Sequence, residues 1–366
     1  MTAVANGQAE GTERRSGYGV RPSASLVLVG LLIVLAGAAL IALTVGAAGI
    51  PLARLPAALG IWSDATPSSS LARDQLVLWS IRIPRIAAAA TVGGLLAASG
   101  AIMQGLFRNP LADPALVGVS SGGAFAAAAA IVFTDSRFGE NLRFMQNQLL
   151  PLAAFVGSLA TTVILYRIAS RSGRTSIAIF LLAGLAIAAI VNAGIGVLVF
   201  VADDRQLRDI TFWMLGSLSG ATWPKIVMLA PVLGVALIVC LSIARGLDIL
   251  VLGEAEAFHS GVDVERLKRI SIVLVSAMTG IAVSICGVVG FVGIVVPHLL
   301  RLVIGPAHRL LLPASALLGA VLLVGADTLA RTIVGPAEMP IGILTAAIGA
   351  PFFLGMLLRQ RGLVAP

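Results

Sequence analysis

The sequence predicts an all-α polytopic membrane protein with about ten transmembrane helices, and three observations carry that prediction. Of 366 residues, 58% are hydrophobic and only 11% are charged, against roughly 25% charged in an ordinary soluble domain. Mean hydropathy is +1.01, so there is too little charge to cover a soluble surface of this size. Apolar runs of the length that crosses a bilayer, roughly 20 residues for a hydrocarbon core of about 30 Å, recur along the whole chain.

The first run, Leu26 to Val45, follows a segment holding Arg14, Arg15 and Arg21. It is longer than the apolar region of a cleavable signal peptide. Residues 1–25 are therefore expected to be a cytosolic tail before an uncleaved helix, and residues 26–366 one ten-helix domain. Segment 46–81, with its Pro, Ser and Trp, is expected to be a long external loop. Further runs follow: Ile86 to Leu106, Ala115 to Phe133, Leu149 to Tyr166, Ile177 to Val201 and Ile226 to Ala244. Ile270 to Val289, Leu310 to Ala326 and Ile341 to Leu358 come later, and a shorter run, Phe291 to Ile304, broken by Pro297, His298 and Arg301, completes the set. Small residues such as GGLLAASG at 93–100 let helices approach closely in lipid. Breaks at Pro297 and Pro351 are tolerated only where protein or a water-filled cavity satisfies the freed backbone groups. Cys240 and Cys286 lie inside apolar runs, as packing residues do, and no disulfide framework or metal-ligand spacing is visible.

The net charge of +8 comes from arginines scattered between spans, a pattern of membrane anchoring and not of a nucleic-acid-binding face. With the N-terminus inside, ten spans return the C-terminus to the cytosol. The inside segments then hold the N-terminal arginines, Arg108, Arg167, Arg171, Arg174, Arg245, Arg266, Lys268, Arg269, Arg301, Arg309, Arg359 and Arg361, fifteen of the 25 basic residues. This bias supports the orientation modestly. Arg82, Arg85 and Arg331 fall outside it, next to span ends on the external side. Segment 245–269, RGLDILVLGEAEAFHSGVDVERLKR, is internal and amphipathic. It suits either a docking surface for a cytosolic partner or a solvated connector.

Two polar corners interrupt the spans. In QGLFRNPLADPALVGVSSGGA at 104–124, Arg108, Asn109, Pro110, Asp113 and Pro114 form a proline-fixed turn, with Asn109 held extended by the following proline. Gln104 lies just before it inside an apolar helix, where an amide must find a hydrogen-bond partner or line water. An interhelical hydrogen bond is the simpler local reading. In GFVGIVVPHLLRLVIGPAHR at 290–309, His298 could in principle ligate haem iron, but its place beside Pro297 and near Arg301 suggests a hinge. His308 and Arg309 read as a cytosolic helix-end cluster, and His259 as cytosolic. Asp327 and Glu338 flank Arg331, and Asp327 with Arg331 one turn on forms the expected local pair. No ladder of acids supports a proton relay.

The chain has no GxxxxGK[ST], and with only Lys225 and Lys268 it could not have one, so any ATP and magnesium would be bound by a partner ATPase and not by this chain. No Ser-His-Asp or HExxH arrangement is present. The chain is expected not to be an enzyme and to bind no cofactor or metal of its own.

Six motifs then occur in a definite order: RIPR at 82–85, SGAIMQGLFRNPLADPALVGVSSGG at 99–123, FWMLGSLSGATW at 212–223, GEAEAFHSGV at 253–262, LLGAVLLVGADTLAR at 317–331 and EMPIGILTAAIGAPFF at 338–353. With them the chain resembles the FecCD family, permease subunits of ABC importers for iron siderophores, haem and cobalamin. The resemblance implies a type II importer permease fold, a homodimer in the bacterial inner membrane and two cytosolic ABC ATPase subunits. These would dock on Gly253, Glu254, Ala255, Glu256, Ala257, Phe258, His259, Ser260, Gly261 and Val262, with Ala257 expected within cross-linking reach. It also implies a periplasmic binding protein whose acidic residues meet Arg82, Arg85 and Arg331. The motif wording is most similar to haem permeases, making haem the expected cargo, with a ferric siderophore or cobalamin as alternatives. A reading of another class, an ion-coupled secondary transporter, calls for inverted repeats with charge at the midplane, whereas the acids here cluster at span ends.

Overall fold

The computed structural model describes residues 23–46, 49–62, 69–134, 146–171, 174–334 and 337–361; most of the expected N-terminal tail lies outside them. The apolar runs become helices because a lipid-embedded backbone must satisfy its hydrogen bonds internally. In chain order these are α1 (Ala24–Thr44), α2 (Leu55–Ala58), α3 (Ser69–Val77), α4 (Ile83–Leu106), α5 (Val119–Thr134), α6 (Gln146–Ala169) and α7 (Ile177–Val201). Then follow α8 (Asp204–Leu215), α9 (Trp223–Leu250), α10 (Glu254–His259), α11 (Val264–Cys286), α12 (Val292–Ile304), α13 (His308–Ile333) and α14 (Ile341–Arg361). Eight helical stretches are long and apolar enough to cross a membrane, and α5 and α12 are shorter apolar helices, which together match the ten expected spans.

Both long connecting segments carry helix. Segment 46–81 carries α2 and α3, and α3 runs through a π-helical turn at Leu78–Arg82 directly into α4. Segment 245–269 is mostly helix: α9 continues to Leu250 and α11 begins at Val264, where the Asp263 side chain accepts from the Arg266 amide. The span expected from Ala115 begins at Val119, after a 3-10 turn at Pro114–Val117 that Gly118 closes at φ 74°. A short helix the sequence did not announce, α8, is started by a capping box between Asp203 and Gln206, which satisfies two otherwise orphaned amides.

The helices alternate in direction between two ends. At one, here the basal end, Asp248 of α9 meets His308 of α13 and Gln104 of α4 meets Arg301 of α12. At the other, the distal end, Leu43 of α1 meets Arg82, and Arg85 of α4 meets Asp327 of α13. The most hydropathic stretch is 72% buried in α4 and in α11 but 6% buried in α1, so α4 and α11 form the core and α1 lies at the periphery. Small residues set this packing. A Cβ on Gly93 would overlap the carbonyl of Gly319 in α13, and one on Gly100 the backbone of Gly293 in α12. Backbones touch where glycine removes the side chain.

Candidate functional site

At the distal end, Arg82 and Arg85 stand three residues apart, hence on one helix face, at the exit of the π turn. Arg85 is 6% exposed. Its Nε donates to Asp327 Oδ1 and Oδ2 at 2.9 and 3.0 Å, and Nη1 donates to Glu338 Oε1 and Oε2 at 3.0 and 2.9 Å. Nη2 lies 2.9 Å from Asp327 Oδ1. Two carboxylates thus occupy the guanidinium fork, the geometry that makes such pairs strong. Arg331 Nε lies 3.2 Å from Asp327 Oδ2, so the local Asp327 and Arg331 pair forms, but as part of a larger network. Arg82, 3% exposed, donates to the Leu43 carbonyl.

The structure therefore brings the three expected docking arginines together at one end and turns them inward. The reason is local electrostatics: a buried guanidinium needs counter-charge, and Asp327 and Glu338 supply it. A third acid, Asp74, which the sequence reading missed, is 1% exposed and sits 3.2 Å from Arg54 and 3.3 Å from Arg73. It fastens α3 to the turn at Leu52–Arg54.

At the basal end, Gln104 is buried and donates to the carbonyls of Gly293 (3.1 Å) and Ile294 (3.4 Å), while its Oε1 accepts from Arg301. The amide ties α4 to both ends of α12. The following corner is built as its sequence dictates. Arg108 takes φ 49°, a left-handed conformation uncommon for a residue with a Cβ. The Asn109 side chain accepts from the Leu111 amide at 2.9 Å, and Asp113 Oδ1 accepts from the Ala115 amide at 2.7 Å. Arg108, Asn109 and Pro110 are exposed, whereas Asp113 and Pro114 are buried against Gly293. Burial pushes the Asp113 carboxyl up to about 6, because loss of water penalises the charged form.

Pro297 is buried within α12, and the His298 ring stands edge-on to Phe352 with centroids 6.1 Å apart. His308 departs from the expected exposed cluster. It is 1% exposed, and its Nδ1 and backbone nitrogen both lie 2.7 Å from Asp248 Oδ1; only Arg309 faces outward.

The segment Gly253 to Val262 forms α10 and its flanks. Gly253 takes φ 132°, a backbone state reserved for glycine, and so turns the chain sharply out of α9. Glu254, Ala255, Glu256, Phe258, His259, Ser260 and Gly261 are exposed and Val262 is half-buried. Ala257 is 0% exposed and belongs to the core, which corrects the expectation that it faces a partner: it is the apolar foot of the helix. Phe258, 73% exposed, and Leu252, 72% exposed, are the outward apolar side chains. Lys268, counted from sequence only as a basic loop residue, is buried and anchors this element. Its Nζ reaches Glu254 (2.9 Å), Glu265 (3.1 Å) and the Thr175 carbonyl (3.2 Å). Among the described residues no group of three His, Cys, Asp or Glu could hold a metal ion.

Among the described residues, a close-packed bundle of ten apolar helices, with a clamped charge network at one end and a rigidly mounted apolar knob at the other, defines a polytopic membrane protein. Residues 25–359 match the FecCD transport family, and the chain belongs to that family. It is 47% identical over 285 residues, 78% of this chain and 84% of the relative, to a hemin transport system permease protein of Yersinia pestis. It is 46% identical over 287 residues, 78% of this chain and 74% of the relative, to a cobalamin import system permease protein of Halobacterium salinarum. A solved structure described as an inward-facing conformation of a provisionally assigned metal-chelate type ABC transporter superposes with a TM-score of 0.79 at 31% identity. That match covers 92% of this chain and 99% of the other. The chain is an ABC importer permease, a transport component.

Proposed function

We propose that this chain is the permease of a haem importer, working as a homodimer in a bacterial inner membrane. Two ABC ATPase subunits bind its basal ends and a periplasmic binding protein its distal face. The basal end, where α10 sits and most of the basic residues gather, is then cytoplasmic, as are both termini. The observation that carries this reading is the mounting of α10. An exposed aromatic on a helix whose foot is buried and whose first residue is ion-paired to α11 can transmit force, because packed helices shift as units under load.

Haem as cargo is supported by the motif wording and by the hemin permease relative. The nearly equal identity of the cobalamin relative makes cobalamin the second reading. The test is uptake into proteoliposomes holding the permease, its ATPase and its binding protein. ATP-dependent haem accumulation that excess cobalamin does not suppress is expected, and cobalamin accumulation without haem would overturn the cargo assignment.

At the distal face, acidic groups of the binding protein compete with Asp327 and Glu338 for Arg85 and Arg331 and meet Arg82 beside them. Arg82→Glu combined with Arg331→Glu is expected to abolish receptor-stimulated ATPase activity while the protein stays folded. Undiminished stimulation would sink the docking role.

A further inference from the structure

The distal end holds a cavity of about 430 Å³ between α8, the turn at residues 216–220, the first turn of α9 and the end of α11. Its volume is in the range that takes small molecules. We propose that this cavity is a receiving site for an amphipathic carboxylate-bearing ligand, which under the function above is haem presented by its propionates. The inference rests on that reading for the cargo and on the cavity for the site.

Three features point to such a ligand. Arg205 of α8 and Lys225 of α9 both line the cavity. The Lys225 ammonium spends one donor on the Gly220 carbonyl at 2.9 Å. Among the described residues no carboxylate lies within ion-pair distance of Arg205 or Lys225, although Asp209 lines the same wall. Arg205 is exposed and Lys225 half-buried, and unlike Arg85, Lys268 and Arg331, which acids neutralise, neither of these two cavity-lining cations is paired with a carboxylate. A partly desolvated cation without a partner favours a ligand anion.

The second feature is the apolar and aromatic share of the wall, with Phe212 and Trp213 on α8, which suits the flat body of a macrocycle. The third is rigidity. The turn that carries Ser219 into the cavity is fixed at its base, since the Ser217 amide donates to the Cys286 carbonyl at 2.8 Å and the Ile341 amide to the Gly216 carbonyl at 3.0 Å. Gly216 and Gly287 take φ 76° and 73° there. A Cβ on Gly287 would run into the Trp213 carbonyl, so the approach of α8 to α11 is set by glycine.

The test uses the full-length permease, purified with its ATPase, and two probes: haem and haem dimethyl ester, which has the same ring with its carboxylates masked. Wild-type protein is expected to bind haem more tightly than the ester. Arg205→Gln with Lys225→Gln is expected to weaken haem binding about tenfold or more and leave ester binding unchanged. Lys225→Arg on the Arg205 background is expected to keep haem affinity near wild type. Equal loss for both probes, or no loss for either, overturns the site. Haem uptake with a charge-independent affinity removes the site and leaves the transport function. Charge-dependent binding without uptake removes the transport function and leaves the site.

Discussion

The two ends of the bundle treat polarity in opposite ways. In the distal network the charges around Arg85 are folded inward: Arg85 and Asp327 are almost inaccessible, and Arg331 is little more exposed. Around α10 at the basal end a buried charge, Lys268, serves as a mount, and the outward apolar contact is an aromatic side chain, Phe258. Near a membrane boundary, then, an arginine can act as a clamp between helices and a phenylalanine as the outward contact. The residue type alone predicts the reverse.

The largest expected effect breaks the distal clamp. Arg85→Leu removes the partner of two carboxylates and leaves Asp327 buried beside Arg331 alone. Losing one member of a buried ion network costs about 3–5 kcal/mol, which should appear as a sharply lowered melting temperature of the detergent-solubilised protein. Restoring charge balance with Asp327→Asn on the same background should recover part of the loss. A melting temperature unchanged by Arg85→Leu would mean that the network is a surface feature and that the contrast between the ends is false.

A pH measurement sharpens the basal side. The Asp113 carboxyl is raised from 3.8 to about 6 in the folded state. Below a pH of about 4 both folded and unfolded chains hold the proton, and the group contributes nothing to the pH dependence. As pH rises, the unfolded chain releases its proton first, so this group lowers stability until the folded state ionises too, and the loss levels off above about 6. A shift of this size corresponds to roughly 2–3 kcal/mol. Asp113→Asn keeps an acceptor for the Ala115 amide without the charge. Its stability relative to wild type should therefore rise between pH 4 and 6. Parallel melting curves for the two proteins across that window would show that Asp113 is solvated.

Much of this architecture was legible in the sequence, and the residues explain where legibility stopped. The spans were legible because an apolar run longer than the hydrocarbon thickness has no other stable state. The pairing of Gln104 with α12 was legible as a need, because a buried amide requires a partner, but the identity of that partner, residues 293, 294 and 301, depends on packing across nearly 200 positions. The partners of Arg85 were hidden for the same reason: its acids lie 242 and 253 residues away. Asp327 and Glu338 were both noticed, and two acids set among three arginines at one end were the available signal. The helical content of segment 46–81 was missed because short helices such as α2 and α3 are held by tertiary anchors like Asp74, and local propensity contributes little at that length.

Tighter packing separates the core from both ends. A Cβ on Gly100 meets the Gly293 backbone, which cannot move aside as a flexible side chain would. Gly100→Ala should therefore cost about 1–3 kcal/mol as overpacking, measured by thermal melting. Gly30→Ala, on the exposed α1 where a Cβ meets nothing within 4 Å, should be neutral or slightly stabilising. Equal responses at the two positions would contradict a core centred on α4.

The smallest effect on stability carries the largest functional consequence. Phe258 is exposed, and truncating such a side chain usually changes stability by less than about 0.5 kcal/mol. Phe258→Ala should therefore melt like wild type. If Phe258 is the aromatic anchor of the ATPase contact, the same change removes the kind of residue that typically contributes more than about 2 kcal/mol to an interface, and ATPase association should weaken by more than tenfold. Ala257→Leu forces bulk into the buried foot of α10 and should instead lower the melting temperature before it alters association. The pair of variants separates mount from contact: a Phe258→Ala protein that is destabilised yet still binds its ATPase normally would assign Phe258 to the fold and leave the coupling surface to be sought elsewhere on the basal end.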